Sequence, residues 1–284
     1  MRSNEVILTF REQMLKRGEF KVSTINLKLT HICGFVAMCA DRGLVTWRPS
    51  RRYKLKGAKD PMRKGRLTFD DMERICRFVF GRKEHDGRRF HANFTVRRDK
   101  AICALLCLHA LRDFQVRGIT SKDVEVGGKE VWIFDKGRAE KSLLRLHDVA
   151  SDFLNSYLTL HEAHRVEDDA PLFVGGRGVK IEWGKPLTPR GLYHVIRRWA
   201  KDAVKEEMKG ATWEEIIKGQ ARYNGITTHD FRKAVVTYIV DTQGAEVAQR
   251  TARHDNINTT LARYDNKHQD RAMQGSDAVA QKIQ

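Results

Sequence analysis

Apolar residues recur every three to four positions along most of this chain, with one interruption where the period changes to two. The stretch 24–46, TINLKLTHICGFVAMCADRGLVT, places Ile25, Leu29, Ile32, Phe35 and Val36 at helical spacing. Thr24 is its expected N-cap and Gly43 the residue that ends it. Residues 67–80 open with Thr68 and an acidic first turn, as a helix start does. Residues 100–111, KAICALLCLHAL, are apolar all round and read as a buried helix. Residues 124–134, VEVGGKEVWIF, alternate around Gly127–Gly128 and lead into DKGRAEKSLLRL, which predicts a β-hairpin or a three-stranded sheet. Helical spacing returns at 147–164. It returns again at 187–207, where Thr188 caps, Pro189 takes the first helical position and Leu192, Val195, Ile196 and Trp199 face inward. The expected class is mainly α with a small antiparallel β-sheet, an α+β fold.

Charge changes the picture more than composition does. The 284 residues carry a net charge of +17, far more than solubility needs, which points to a polyanionic partner. Residues 51–66 hold eight Lys or Arg against one Asp and include Gly57 and Pro61, so they read as an exposed basic linker. Arg51, Arg52, Lys54, Lys56, Arg63 and Lys64 are candidate nucleic-acid contacts there. On the helix 187–207, Arg190, Arg197, Arg198 and Lys201 are expected to be free for solvent or nucleic acid. No uninterrupted apolar run reaches the length of a membrane span, and the first residues lack a signal-peptide core. The five cysteines include no CxxC pair and suit a reducing compartment. VGGRGVK (174–180) has phosphate-loop glycines without the Lys-Ser/Thr ending of a P-loop, and reads as a flexible turn.

The chemistry concentrates at 228–264. His229 and Arg232 lie three apart, His254 follows, and Tyr264 comes ten residues later. Each alone has an ordinary structural explanation. Together, a permanent cation, two imidazoles and a phenol suit attack on a phosphodiester. Guanidinium forks neutralise charge on the non-bridging oxygens, imidazoles donate hydrogen bonds or move protons near neutrality, and a phenol becomes a nucleophile in a positive pocket.

This order and spacing resemble the active-site segment of the tyrosine recombinases, also called phage-type integrases. The resemblance extends over roughly 67–270. HALRDFQVRGITSKDV (109–124) parallels the segment that carries the family's first catalytic arginine, with Asp123 eleven residues after Arg112. Lys136, 24 residues after Arg112 in a Lys-Gly turn, matches the family's hairpin lysine, with Lys129 and Lys141 as substitutes on the same hairpin. Departures are Ala110 and Arg253, where the family usually has glycine, and Gln115, where it usually has a carboxylate.

The resemblance implies a catalytic set of Arg112, Lys136, His229, Arg232, His254 and Tyr264, with Tyr264 forming a 3′-phosphotyrosine and Lys136 protonating the leaving 5′-oxygen. It implies neither metal nor other cofactor, since the arginines neutralise the charge. It also implies double-stranded DNA with specific sites as partner, a homotetramer on that DNA, room for an accessory DNA-bending protein, and a cytoplasmic, nucleoid-associated location in a prokaryote or its mobile elements, with no membrane. The expected domains are a partial, short core-binding domain over 1–56, a basic linker over 57–66, a catalytic domain over 67–270 and a tail over 271–284. Residues 208–226 exceed the usual connector and are expected to add a helix. AVAQKI in the tail reads equally as a docking helix or as disordered chain. A type IB topoisomerase-like enzyme and a decayed integrase that only binds DNA are the alternative readings.

Overall fold

A computed structural model describes residues 3–49, 55, 67–84, 90–125, 127–163, 169–177, 180–254, 257 and 260. Contacts divide the chain into two units, Met1–Arg63 and Lys64–Gln284.

The first unit is a helical pair, α1 (Ser3–Arg17) and α2 (Val22–Asp41). Ile7 and Met14 of α1 are buried with Ile25 and Leu29 of α2, and Phe10, Phe20 and Trp47 close around them. Asn26 grips the backbone of Leu55, donating to its carbonyl (3.0 Å) and accepting from its N–H (2.8 Å). Two expectations change here. Thr24 is not a cap, because the Lys21 carbonyl already accepts from Thr24 and Ile25, so α2 starts at Val22. And α2 is long and apolar enough by length and composition to cross a membrane, with a mean hydropathy of 1.3 over an 18-residue window. Reading uninterrupted runs missed it because Lys28 breaks the run.

The second unit is built on α4 (Phe90–Leu108), whose residues Ala101 to Leu106 are fully buried. Around it lie α3 (Phe69–Gly81), α5 (Asp113–Arg117), α6 (Asp148–Ala163), α7 (Pro189–Glu207), α8 (Trp213–Ala221), α9 (Thr228–Gln243) and α10 (Ala245–Ala252). The cap boxes follow sequence. Thr68 accepts from the Asp71 N–H while Asp71 accepts from the Thr68 N–H, and Thr188 accepts from the Gly191 N–H at 3.0 Å. All four apolar positions predicted to face inward on α7 are buried. The helix α8 realises the extra helix expected within 208–226 and has its own capping box between Thr212 and Glu215.

Strands β1 (Glu130–Phe134) and β2 (Lys141–Arg145) pair antiparallel, and Val124 bridges to Val131 beside them. The turn between Val124 and β1 needs glycine. Gly128 has φ +64°, and a Cβ there would lie 2.1 Å from the Asn155 side-chain oxygen. Strands β3 (Val174–Arg177) and β4 (Lys180–Pro186) form a second hairpin. VGGRGVK is therefore part of a hairpin rather than a simple flexible turn. Its first residue, Val174, is buried, and its carbonyl accepts from Arg98 (3.1 Å).

Among the polar clusters inside this unit are one around Asp99 and one of three cysteines. Asp99 is fully buried and meets Arg82, Arg98 and Arg198 at 2.8–3.0 Å, with the Trp199 indole N–H at 2.9 Å. Burial alone would raise its carboxyl, but the arginines and the indole outweigh that and hold it below the usual range. Cys76 of α3 meets Cys103 and Cys107 of α4 in the core.

Candidate active site

Helix α9 starts at a reciprocal cap, the Asp230 carboxylate accepting from the N–H and hydroxyl of Thr227 at 2.9 Å each. That fixes His229 in the first turn, exposed, and turns Arg232 inward, where it is 2% exposed. An isolated cation this deep would be unstable. Arg232 is instead solvated by backbone dipoles. Its Nη1 donates to the Ala110 carbonyl and its Nη2 to the Ala252 carbonyl, and Nη2 lies 3.0 Å from Nε2 of His254. His254 is itself buried, with Nδ1 2.8 Å from the Thr260 hydroxyl.

One buried guanidinium thus joins two loops far apart in sequence. The first, His109–Arg112, leaves α4 and enters α5. The expected helix 100–111 stops at Leu108 because Ala110 adopts φ +49°. Arg112 then sits at the N-cap position of α5, half-buried, with its N–H donating to Gln115 Oε1 at 2.9 Å. The second loop follows α10, where Arg253 adopts φ +51°. Among the described residues, Ala110 and Arg253 are the non-glycine residues with positive φ. They are also the two positions where glycine is usual in the resembling family.

The hairpin β1–β2 is tied to both loops through Asp135, the residue before Lys136. Asp135 accepts from Gln115 Nε2 (3.2 Å), the Ser142 hydroxyl (2.6 Å), and Arg253 through Nε and Nη2 (2.9 Å each). The Arg253 guanidinium foremost, despite partial burial, holds this carboxyl below its usual range. Gln115 explains itself here. Its amide accepts from Arg112 and donates to Phe134 and Asp135 at once, which an ionised carboxylate cannot do.

Lys136 is exposed on the hairpin turn. Lys141 is committed elsewhere, with Nζ 2.5 Å from both oxygens of Asp123. Asp123 also caps Thr120 and so anchors the hairpin from below. Lys129 is exposed at the start of the hairpin. Of the α7 cations, Arg190 is exposed, while Arg197 bonds the Tyr193 hydroxyl and Asn224, and Arg198 is drawn to Asp99. Arg198 stays exposed while it pairs with Asp99, and Arg197 is partly buried. Tyr264 and the linker cations Arg51, Arg52, Lys54, Lys56, Arg63 and Lys64 lie outside the described residues. Sequence reading missed Asp135, Thr260 and the grip of Arg232 on two carbonyls. Only the glycine-to-arginine change at 253 offered a signal.

A mostly helical unit with two small hairpins, and a buried arginine joining an Arg-bearing loop to a His-bearing one, defines the class. The chain belongs to the phage integrase family, whose profile matches residues 66–271. It is similar to a tyrosine recombinase XerC of Thermodesulfovibrio yellowstonii, 24% identical over 201 residues that make up 69% of this chain and 60% of that protein. It is 28% identical over 176 residues to a tyrosine recombinase of Synechococcus elongatus, covering 61% of this chain and 48% of that protein. The chain thus spans roughly half to three fifths of the length of these relatives. A third relative, from a Synechocystis strain, is 24% identical and matches 94% of this chain and 75% of its own length. In fold it resembles the XerH recombinase bound to a palindromic difH substrate (TM-score 0.58, 14% identity, 96% of this chain and 71% of that one). It likewise resembles the Tn1549 transposon integrase in complex with transposon right end DNA (TM-score 0.58, 15% identity, 96% and 84%).

Proposed function

We propose that this protein is a site-specific DNA recombinase that cuts and rejoins duplex DNA through a 3′-phosphotyrosine at Tyr264. The observation that carries this reading is Arg232, which draws the Arg112 loop and His254 to one buried cation while leaving His229 exposed at the start of the same helix. Family membership and fold likeness to recombinases whose structures contain DNA support it.

In this reading Arg112 and His229 receive the non-bridging oxygens of the scissile phosphate. Arg232 supplies positive potential from below, where low polarity strengthens it, and keeps His254 in place. Tyr264 attacks phosphorus as its phenol proton passes to a neutral imidazole of the site, the bond to the 5′-oxygen breaks, and Lys136, swung in on the Asp135-anchored turn, protonates that departing oxygen. Specific DNA sites, assembly as a homotetramer on them, assistance by a DNA-bending protein and a cytoplasmic, nucleoid-associated location belong to the same proposal. So does the division into a core-binding segment over 1–56, a DNA-contacting linker over 57–66, a catalytic domain over 67–270 and a tail over 271–284. The phosphate contacts would come from the linker cations and from Arg190, Arg197 and Arg198.

The test is covalent trapping on a nicked or suicide duplex. The protein forms a complex that survives denaturation, and Tyr264→Phe abolishes it while binding persists. Covalent product from Tyr264→Phe refutes the assignment. Relaxation of supercoiled DNA of any sequence by a monomer would favour a topoisomerase-like activity instead.

A further inference from the structure

Cys76, on α3, and Cys103 and Cys107, one turn apart on α4, converge in the core of the second unit. Their Sγ atoms form a triangle with edges of 2.8 Å (Cys76–Cys107), 3.8 Å (Cys76–Cys103) and 3.8 Å (Cys103–Cys107). All three residues are buried, Cys103 completely. A single buried cysteine is ordinary filling for a core. Three sulfurs pointing at one centre from two helices are not explained by filling, since alanine or valine would pack there without bringing three polarisable atoms together.

We propose that Cys76, Cys103 and Cys107 form a buried three-thiolate site for a soft, thiophilic ion of the Cu(I) class. Metal–sulfur bonds of about 2.3 Å place the sulfurs of a trigonal site about 4 Å apart. Two edges of the triangle already have nearly that length, and the third would have to open by about 1 Å. Among the described residues, no histidine, carboxylate or further cysteine brings a ligand atom into the cluster. Structural zinc is almost always four-coordinate, whereas soft thiolate sets select ions such as Cu(I). Binding involves no redox step. The ion stays Cu(I), and each ligating thiol releases its proton to solvent. The site fastens α3 to the last two turns of α4. Cys107 lies three residues before Ala110, so an occupied site stiffens the helix end from which the Arg112 loop departs.

The proposal does not depend on the recombinase reading, and its test reads metal rather than DNA. The reduced full-length protein is titrated without oxygen against Cu(I) held by a chromophoric chelator. The expected result is one ion taken up per chain, with thiolate-to-copper charge-transfer absorption and a raised melting temperature. Cys103→Ala and Cys107→Ala should each weaken uptake at least about 100-fold, the upper end of what losing even a hydrogen-bonding partner of a ligand costs. Cys33→Ser and Cys39→Ser, in the first unit, should leave uptake unchanged. Circular dichroism checks that the variants fold. If one does not, native mass spectrometry of the unmodified chain and protection of three thiols from alkylation by Cu(I) give the answer instead. Uptake that survives Cys103→Ala in a folded protein, tighter binding of Zn(II) than of Cu(I), or loss of two thiols to a Cys76–Cys107 disulfide with no ion retained would each overturn it.

Discussion

Ala110 and Arg253 occupy the same kind of position and solve it differently. Each takes a left-handed backbone in a loop whose carbonyl, at 110 or at the preceding 252, accepts a hydrogen bond from Arg232. Such a conformation costs a non-glycine residue roughly 1–2 kcal/mol, and glycine would remove most of that cost. At 110 the residue is fully buried. At 253 the side chain crosses to Asp135 and anchors the turn that bears Lys136. The first loop is held by its backbone and by burial. The second carries an added ionic clamp that a glycine cannot make. Strain at a site persists where the surroundings over-determine it, and here the over-determining element is one guanidinium shared by both loops.

Removing that shared element should have the largest effect. Arg232→Ala leaves two buried carbonyls without a donor, at about 1–3 kcal/mol each, and removes the cation beneath the site. Cleavage should fall about 100- to 1000-fold, as for loss of one transition-state donor, and urea unfolding should shift to lower denaturant in the same variant. Near-normal covalent-complex formation would separate Arg232 from the chemistry altogether.

The loops should also part company in acid. His109, which begins the first loop, has its imidazole pushed down to about 4 by burial and by neighbouring His147, and its Nε2 accepts from the His147 N–H at 3.2 Å. The unfolded chain binds that proton near 6.5, so between those values unfolding takes up a proton that the folded state refuses. Stability is therefore full above pH 6.5 and falls as pH drops towards 4, by at most about 3 kcal/mol from this residue. The Asp135–Arg253 clamp has the opposite chemistry, a carboxyl held below 3.8, and contributes until the pH falls through that lower value. Unfolding free energies measured across pH 4–6.5 should slope in the native protein and flatten in His109→Gln. An unchanged slope would assign the acid response to other groups.

The difference between the loops also marks what the sequence could disclose. Cap residues, the alternating strand and the inward face of α7 are local patterns, and Thr68, Thr188 and Leu192–Trp199 stand where periodicity puts them. The spacing of His229, Arg232 and His254 was visible for the same reason. The grip of Arg253 on Asp135 spans 118 residues and that of Arg232 on Ala110 spans 122, and no local pattern encodes such a pairing. Helix α1 was missed because, among its described residues, those buried are Ile7 and Met14, a full two turns apart. Arg232 illustrates the limit on roles as well. Its residue type suggests a fork for the phosphate, but that the same fork also holds two backbone carbonyls is visible only in the fold.

Arg253→Gly tests the clamp directly. It relieves the left-handed strain, about 1 kcal/mol, and deletes charge-assisted hydrogen bonds worth about 1.5–3 kcal/mol each when partly buried. The net loss of stability should be about 2–5 kcal/mol by chemical denaturation, with a larger proportional drop in cleavage than in DNA binding, because the hairpin bearing Lys136 loses its anchor. If a substrate with a sulfur in place of the leaving 5′-oxygen, which needs no protonation, restored the rate, the loss would be placed at Lys136.

Ala110→Gly is the smallest and the most discriminating change. Ala110 is fully buried, so the substitution alters backbone preference and removes one buried methyl group. Relief of about 1–2 kcal/mol of strain is offset by roughly 0.5–1 kcal/mol of extra unfolded-chain entropy and by the lost burial of one methyl, about 0.8 kcal/mol. The melting temperature should move by no more than a degree or two, and cleavage should stay within about twofold of normal, since Arg232 still holds the carbonyl. A large loss of activity would mean that the first loop, like the second, depends on its side chain, and the contrast between the two loops would fail.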